Sequence, residues 1–162
     1  MFRAELPRLY DLKDCISDLN SPNAYFREFD QKLASSAHVK DLYLRWERTL
    51  QGLDPNAWEH LKDECRPRLN ARSHAGRGWE QLFDILNEAR AYNFLRFVGG
   101  TEVHFIPRDD EKTPDLECYL SPARVLCEVK SINISDDEAA LRIKRVFEKV
   151  APTFWGVRET GE

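Results

Sequence analysis

The fold turns on TPDLECYLSPARVLCEVKS, residues 113–131. On either side of Ser121-Pro122, apolar and polar residues alternate with the period of a half-buried β-strand. Two strands folded back on each other are expected, with a turn at Ser121-Pro122-Ala123-Arg124 and proline in its second position. That turn sets Leu120 opposite Val125, Cys118 opposite Cys127, Glu117 opposite Glu128 and Asp115 opposite Lys130. Opposed residues of an antiparallel pair share a face. Asp115, Glu117, Glu128 and Lys130 should therefore project from one side, and Leu116, Cys118, Leu120, Val125, Cys127 and Val129 from the other. Two glutamates in direct opposition repel. A divalent cation would relieve the conflict, because hard ions such as Mg²⁺ are held by carboxylates. A solvent-facing side whose charges stay hydrated is the competing explanation.

Upstream of the hairpin, residues 79–98 read as one long helix stopped by Gly99-Gly100. Its second half, EARAYNFLRFV, is apolar on nearly all sides, which predicts burial. Glu88 falls on the same stripe as Tyr92 and Leu95, where a carboxylate needs a partner. Residues 101–106 then alternate, with Val103 and Phe105 on one face and Glu102, His104 and Ile106 on the other. Downstream, Ser135 and Glu138 form a capping box for a helix to about Val150, and residues 154–157 offer a weak final strand.

The first seventy-five residues read as successive helices. Ser21-Pro22 and Asp54-Pro55 are cap-then-proline starts for helices over 24–33 and 57–65, with another over 39–50. RPRLNARSHAGRG, residues 66–78, carries Arg66, Arg68, Arg72 and Arg77 without an acid. It reads as a loop, either a phosphate-contacting segment or a solvated basic connection.

Pro114-Asp115 followed by Glu128-Val129-Lys130 on consecutive strands, behind a glutamate-bearing helix, resembles the PD-(D/E)XK nuclease superfamily of restriction-endonuclease-like fold. The resemblance covers residues 79–150. It implies an α/β (α+β) protein with an α-β-β-β-α core and room for a further strand. The core would span residues 76–162, incomplete at its C-terminal end, behind a helical region over 1–75. It further implies Mg²⁺-dependent hydrolysis of phosphodiester bonds, DNA being the favoured substrate, with Mn²⁺ able to substitute. Asp115, Glu128 and the Val129 carbonyl would ligate the metal, with Glu88 binding directly or through water. Lys130 would orient the attacking water and offset charge on the phosphate. Arg66, Arg68, Arg72 and Arg77 are the candidate nucleic-acid contacts. A catalytically inactive binding or scaffolding module of the same fold is the alternative, assembling with itself or a partner subunit through the helical region.

Composition sets the outer bounds. Of the 162 residues, 42% are hydrophobic and 32% charged, as in globular proteins, and the net charge of −4 argues against indiscriminate coating of nucleic acid. No apolar run approaches the roughly 20 residues of a membrane span, and the N-terminus lacks signal-peptide character, so the expected location is the cytoplasm. Cys15, Cys65, Cys118 and Cys127 form no CxxC pair, and Cys118 and Cys127 suit the packed side of the hairpin better than a redox pair.

Overall fold

A computed structural model describes residues 2–70, 80–108 and 113–130. The expected helix over 135–150 and strand over 154–157 lie outside the described residues, as do Arg72 and Arg77. The described elements run α1 (Pro7–Asp14), α2 (Phe29–Ser35), α3 (Ala37–Gln51), α4 (Pro55–Cys65), a short 3₁₀ turn (Arg66–Arg68), α5 (Glu80–Phe97), β1 (Thr101–Phe105), β2 (Leu116–Leu120) and β3 (Ala123–Cys127). The fold is α+β: helices with a three-stranded antiparallel sheet in the order β1-β2-β3.

Local chemistry explains most boundaries. Asp54 caps α4 by accepting the Ala57 N–H at 2.9 Å, with Pro55 in the first turn. Ser36 does the same for α3 through the Val39 N–H. At the end of α5, Gly99 takes the left-handed conformation (φ 93°). Its N–H donates to the Arg96 carbonyl and that of Gly100 to the Leu95 carbonyl, the paired bonds of a Schellman cap. Gly100 cannot be larger, because a Cβ there would stand 2.6 Å from the Leu95 carbonyl oxygen.

Ser21-Pro22 does not start a helix over 24–33. Ser21 caps a turn through the Asn23 N–H, the Tyr25 N–H donates to the Leu69 carbonyl, and Glu28 adopts φ 58°. A residue in the left-handed region breaks helical continuation, so α2 begins only at Phe29. The early helix α1, opened by Pro7, is fixed by a distant residue. Glu47 of α3, 1% exposed, accepts the N–H groups of Arg8 and Leu9 and the Gln51 amide. A carboxylate at a helix N-terminus satisfies orphan donors and complements the dipole.

The hairpin keeps the expected faces but not the expected register. Leu120 pairs with Ala123, Cys118 with Val125, Glu117 with Leu126 and Leu116 with Cys127, leaving Ser121 and Pro122 as a two-residue connection. A slip of two residues preserves which side each residue faces. Leu116 and Cys118 are accordingly fully buried, and Tyr119, Arg124 and Leu126 are exposed. Glu117 no longer opposes Glu128. It holds the Arg124 guanidinium through two bonds of 2.5 and 2.7 Å, so the anticipated glutamate repulsion does not arise. Cys118 and Cys127 are free and no longer directly opposed.

In β1 the register slips between Thr101 and His104, with Glu102 at φ 52°, a β-bulge that leaves Val103 and Phe105 facing inward as expected. Residues 1–130 form one compact unit whose core runs from Leu6 and Leu9 in α1 to Leu116 and Cys118 in β2. Tyr92 ties α5 into it, stacking on Phe105 (5.5 Å between ring centres) and donating to Asp54. Trp46 and Trp58 are buried helix anchors, with Arg90 and Arg8 over their rings. The burial expected of α5 is one-sided. Leu82, Ile85, Ala89, Tyr92 and Leu95 are buried, whereas Phe94 and Phe97 are 61% and 87% exposed. No helix among the described residues is long and apolar enough to cross a membrane.

Candidate functional site

Asp115, just before β2, is tied to the strands on both sides. Asp115 donates its N–H to the Cys127 carbonyl on the β3 side, and its carbonyl accepts the Ile106 N–H on the β1 side, both at 3.0 Å. Its carboxylate is held as well, because Oδ2 accepts the Val129 N–H at 2.6 Å. The Pro-Asp and Glu-Val-Lys segments are thereby joined atom to atom. The other carboxylate oxygen, Oδ1, faces the Arg108 guanidinium at 3.9 Å.

Arg108, two residues beyond Ile106, is the centre of a larger cluster. Its Nη2 makes a close ion pair with Glu88 Oε1, and its Nε lies 3.8 Å from Glu64 Oε2. Three elements therefore each deliver a carboxylate to one guanidinium: α4 through Glu64, α5 through Glu88 and the start of β2 through Asp115. Glu64 is also paired with Arg68 at 3.6 Å, four residues on. Glu88 shares its buried stripe with Tyr92 and Leu95, as the helix periodicity predicts, and is 7% exposed. Burial pushes its carboxyl up to about 7; Arg108 draws it back, while Asp115 and Glu64 push it further up.

The remaining expected residues lie apart from this cluster. Glu128 and Lys130 follow β3 and sit at the surface, paired at 3.4 Å with side chains 57% and 76% exposed. The backbone of Val129 between them is fixed beside Asp115. Of the arginines in the basic segment, Arg66 pairs with Asp63 and Arg68 with the Glu64 side chain and carbonyl. Both arginines are therefore engaged by α4. His104 lies 3.8 Å from Glu117 on the exposed side of the sheet.

Glu64 and Arg108 escape a reading of the sequence. The cluster joins positions 64, 88, 108 and 115, and only the Glu64–Arg68 spacing carries a local signal.

Asp115 and Glu88 converge on one positive charge, the Arg108 guanidinium, and the Val129 N–H occupies Asp115 Oδ2 as a hydrogen-bond donor. Among the described residues, no group of three or more His, Cys, Asp or Glu is arranged to hold a metal ion. Recruitment of Glu128 would require it to leave Lys130. Compared with known proteins, the chain matches no family model, no curated protein and no solved structure.

Proposed function

We propose that this protein is a metal-dependent nuclease of restriction-endonuclease-like fold, hydrolysing phosphodiester bonds in nucleic acid, with DNA favoured. One observation carries the reading. The aspartate of the Pro-Asp pair is fixed to the Glu-Val-Lys segment by the Val129 N–H and shares a cation with the glutamate of the preceding helix. A glutamate-bearing helix followed by three antiparallel strands supports the fold assignment.

The chain's own residues divide the work. Asp115, Glu88, the Val129 carbonyl and Glu128, once turned inward, would hold Mg²⁺ or Mn²⁺. A cation of this kind supplies Lewis acidity toward the phosphate and acidifies bound water. Asp115 is oriented in advance by its bond from Val129, so its geometry is fixed before substrate arrives. Lys130, at the exposed mouth, would orient the attacking water and offset charge developing on the phosphate. Glu88 stays within the protein, where low exposure strengthens its attraction for a cation.

A second reading, a catalytically silent binding module, is favoured by Arg108, which already neutralises the carboxylates. Incubation with single- and double-stranded DNA and RNA in Mg²⁺ or Mn²⁺ separates the two. The nuclease reading expects cleavage that EDTA, Asp115→Ala and Lys130→Ala each abolish. No cleavage of any substrate, or cleavage indifferent to both substitutions, overturns it.

A further inference from the structure

We propose that the cleft between α4 and β1 binds a single amino-bearing nucleobase, adenine or cytosine. The cleft shares no residue with the carboxylate cluster around Arg108, and it would serve a nuclease and a catalytically silent binding module equally. It encloses about 330 Å³, within the roughly 300–1,000 Å³ usual for small-ligand sites. Asp54, Asn56 and His60 line it from the α4 side, and Glu102, His104 and Phe105 from β1. Successive side chains of a regular strand alternate between faces. Here the bulge at Glu102, with φ 52°, lets consecutive residues of β1 border one cleft.

One wall of the cleft is a stack of rings. Tyr92 lies on Phe105 and Phe105 on His60, with 5.2 Å between the last two ring centres and 5° between their planes. Phe105 covers one face of the His60 imidazole, while His60 itself is only half-buried and lines the cleft. A further planar ring laid against His60 would continue the stack, the usual way in which aromatic side chains hold an unpaired base.

The polar groups select which ring. Asp54 and Glu102 line the cleft, and no lysine or arginine is among its described lining residues, which disfavours a phosphate or any other anion. The Ala57 N–H and the Tyr92 hydroxyl already occupy the two oxygens of Asp54. Glu102 and Asn56 are exposed, and their side chains make no hydrogen bond to a described residue. Glu102 can accept from an exocyclic amine. The Asn56 amide, which donates and accepts, can read that amine together with the adjacent ring nitrogen, as asparagine does on adenine. A guanidinium is the other planar donor suited to two acids, but it offers Asn56 no acceptor.

The test follows the NMR signals of the full chain, without divalent cation, as adenosine, cytidine, uridine, arginine amide and a short single-stranded deoxyadenosine oligomer are added. Adenosine and cytidine should saturably shift residues 56–60 and 102–105. Uridine, which lacks the amine, should bind about tenfold more weakly, the scale of one charge-assisted hydrogen bond. His60→Ala should weaken adenosine binding about tenfold through lost stacking. Glu102→Gln leaves the stack intact and should bring adenosine closer to uridine. Tighter binding of the oligomer than of adenosine identifies the ligand as a base within a strand, and equal binding identifies a free nucleoside. Signals unmoved by every nucleoside and by the oligomer, uridine binding as tightly as adenosine, adenosine binding undiminished in His60→Ala, or arginine amide binding more tightly than adenosine would each overturn the proposal. Asp115→Ala should leave these shifts unaltered, so base binding and cleavage stand or fall separately.

Discussion

Replacing Glu88 by glutamine removes a titration that the fold has displaced. The carboxyl is 7% exposed and is pushed by burial from an ordinary 4.5 up to about 7, the nearby Arg108 only partly opposing the shift. The folded protein therefore retains a proton that the unfolded chain has released throughout that window. Unfolding releases the proton, so stability falls as pH rises. The contribution is fully present below the unfolded value of 4.5 and is lost as pH climbs through about 7. A displacement of this size corresponds to about 3 kcal/mol. Urea unfolding of wild type and Glu88→Gln, both in EDTA, should be compared at about pH 5 and about pH 8. The loss of stability between the two conditions should be larger in wild type by roughly 2–3 kcal/mol. Groups that do not touch Glu88 titrate alike in both proteins and cancel. Parallel pH profiles would show that Glu88 ionises as freely as a surface carboxylate, and the account of a tightly enclosed acid would fail.

Other perturbations follow from the same contacts. Glu47→Ala should cost about 2–4 kcal/mol in denaturant unfolding, because it leaves the buried N–H of Leu9 and the half-buried N–H of Arg8 without their acceptor; Glu47→Gln, which keeps an oxygen there, should lose less. Gly100→Ala should destabilise by about 2 kcal/mol, since the new methyl meets the Leu95 carbonyl at 2.6 Å. A wild-type midpoint for that variant would contradict the tight cap. Arg124→Ala removes a well-formed but solvent-exposed pair with Glu117, and its thermal midpoint should stay within error of wild type.

Sequence patterns captured the features with local causes. Asp54-Pro55 and Gly99-Gly100 mark their helix ends because caps act through neighbouring residues. The hairpin's two faces were readable because alternation survives a slip of two residues, while its register was not, since a two-residue connection replaced the expected four-residue turn. Ser21-Pro22 misled because the competing partner of that segment, the Leu69 carbonyl, lies far along the chain. The same limit applies at the candidate site. Glu88 declares itself as a charge in apolar surroundings and Asp115 through its Pro-Asp pair on the charged side of the hairpin, whereas Glu64 and Arg108 join them only through tertiary packing. Glu47, which caps α1 from another helix, is invisible for the same reason.

The central claim is that Asp115 and Glu88 form a site for a divalent cation at the start of β2. A crystal grown in Mn²⁺ and measured at a wavelength where manganese scatters anomalously tests it most directly. The account predicts an anomalous peak bonded to oxygens of Asp115 and Glu88. A map with no peak at those carboxylates under saturating Mn²⁺ would contradict it.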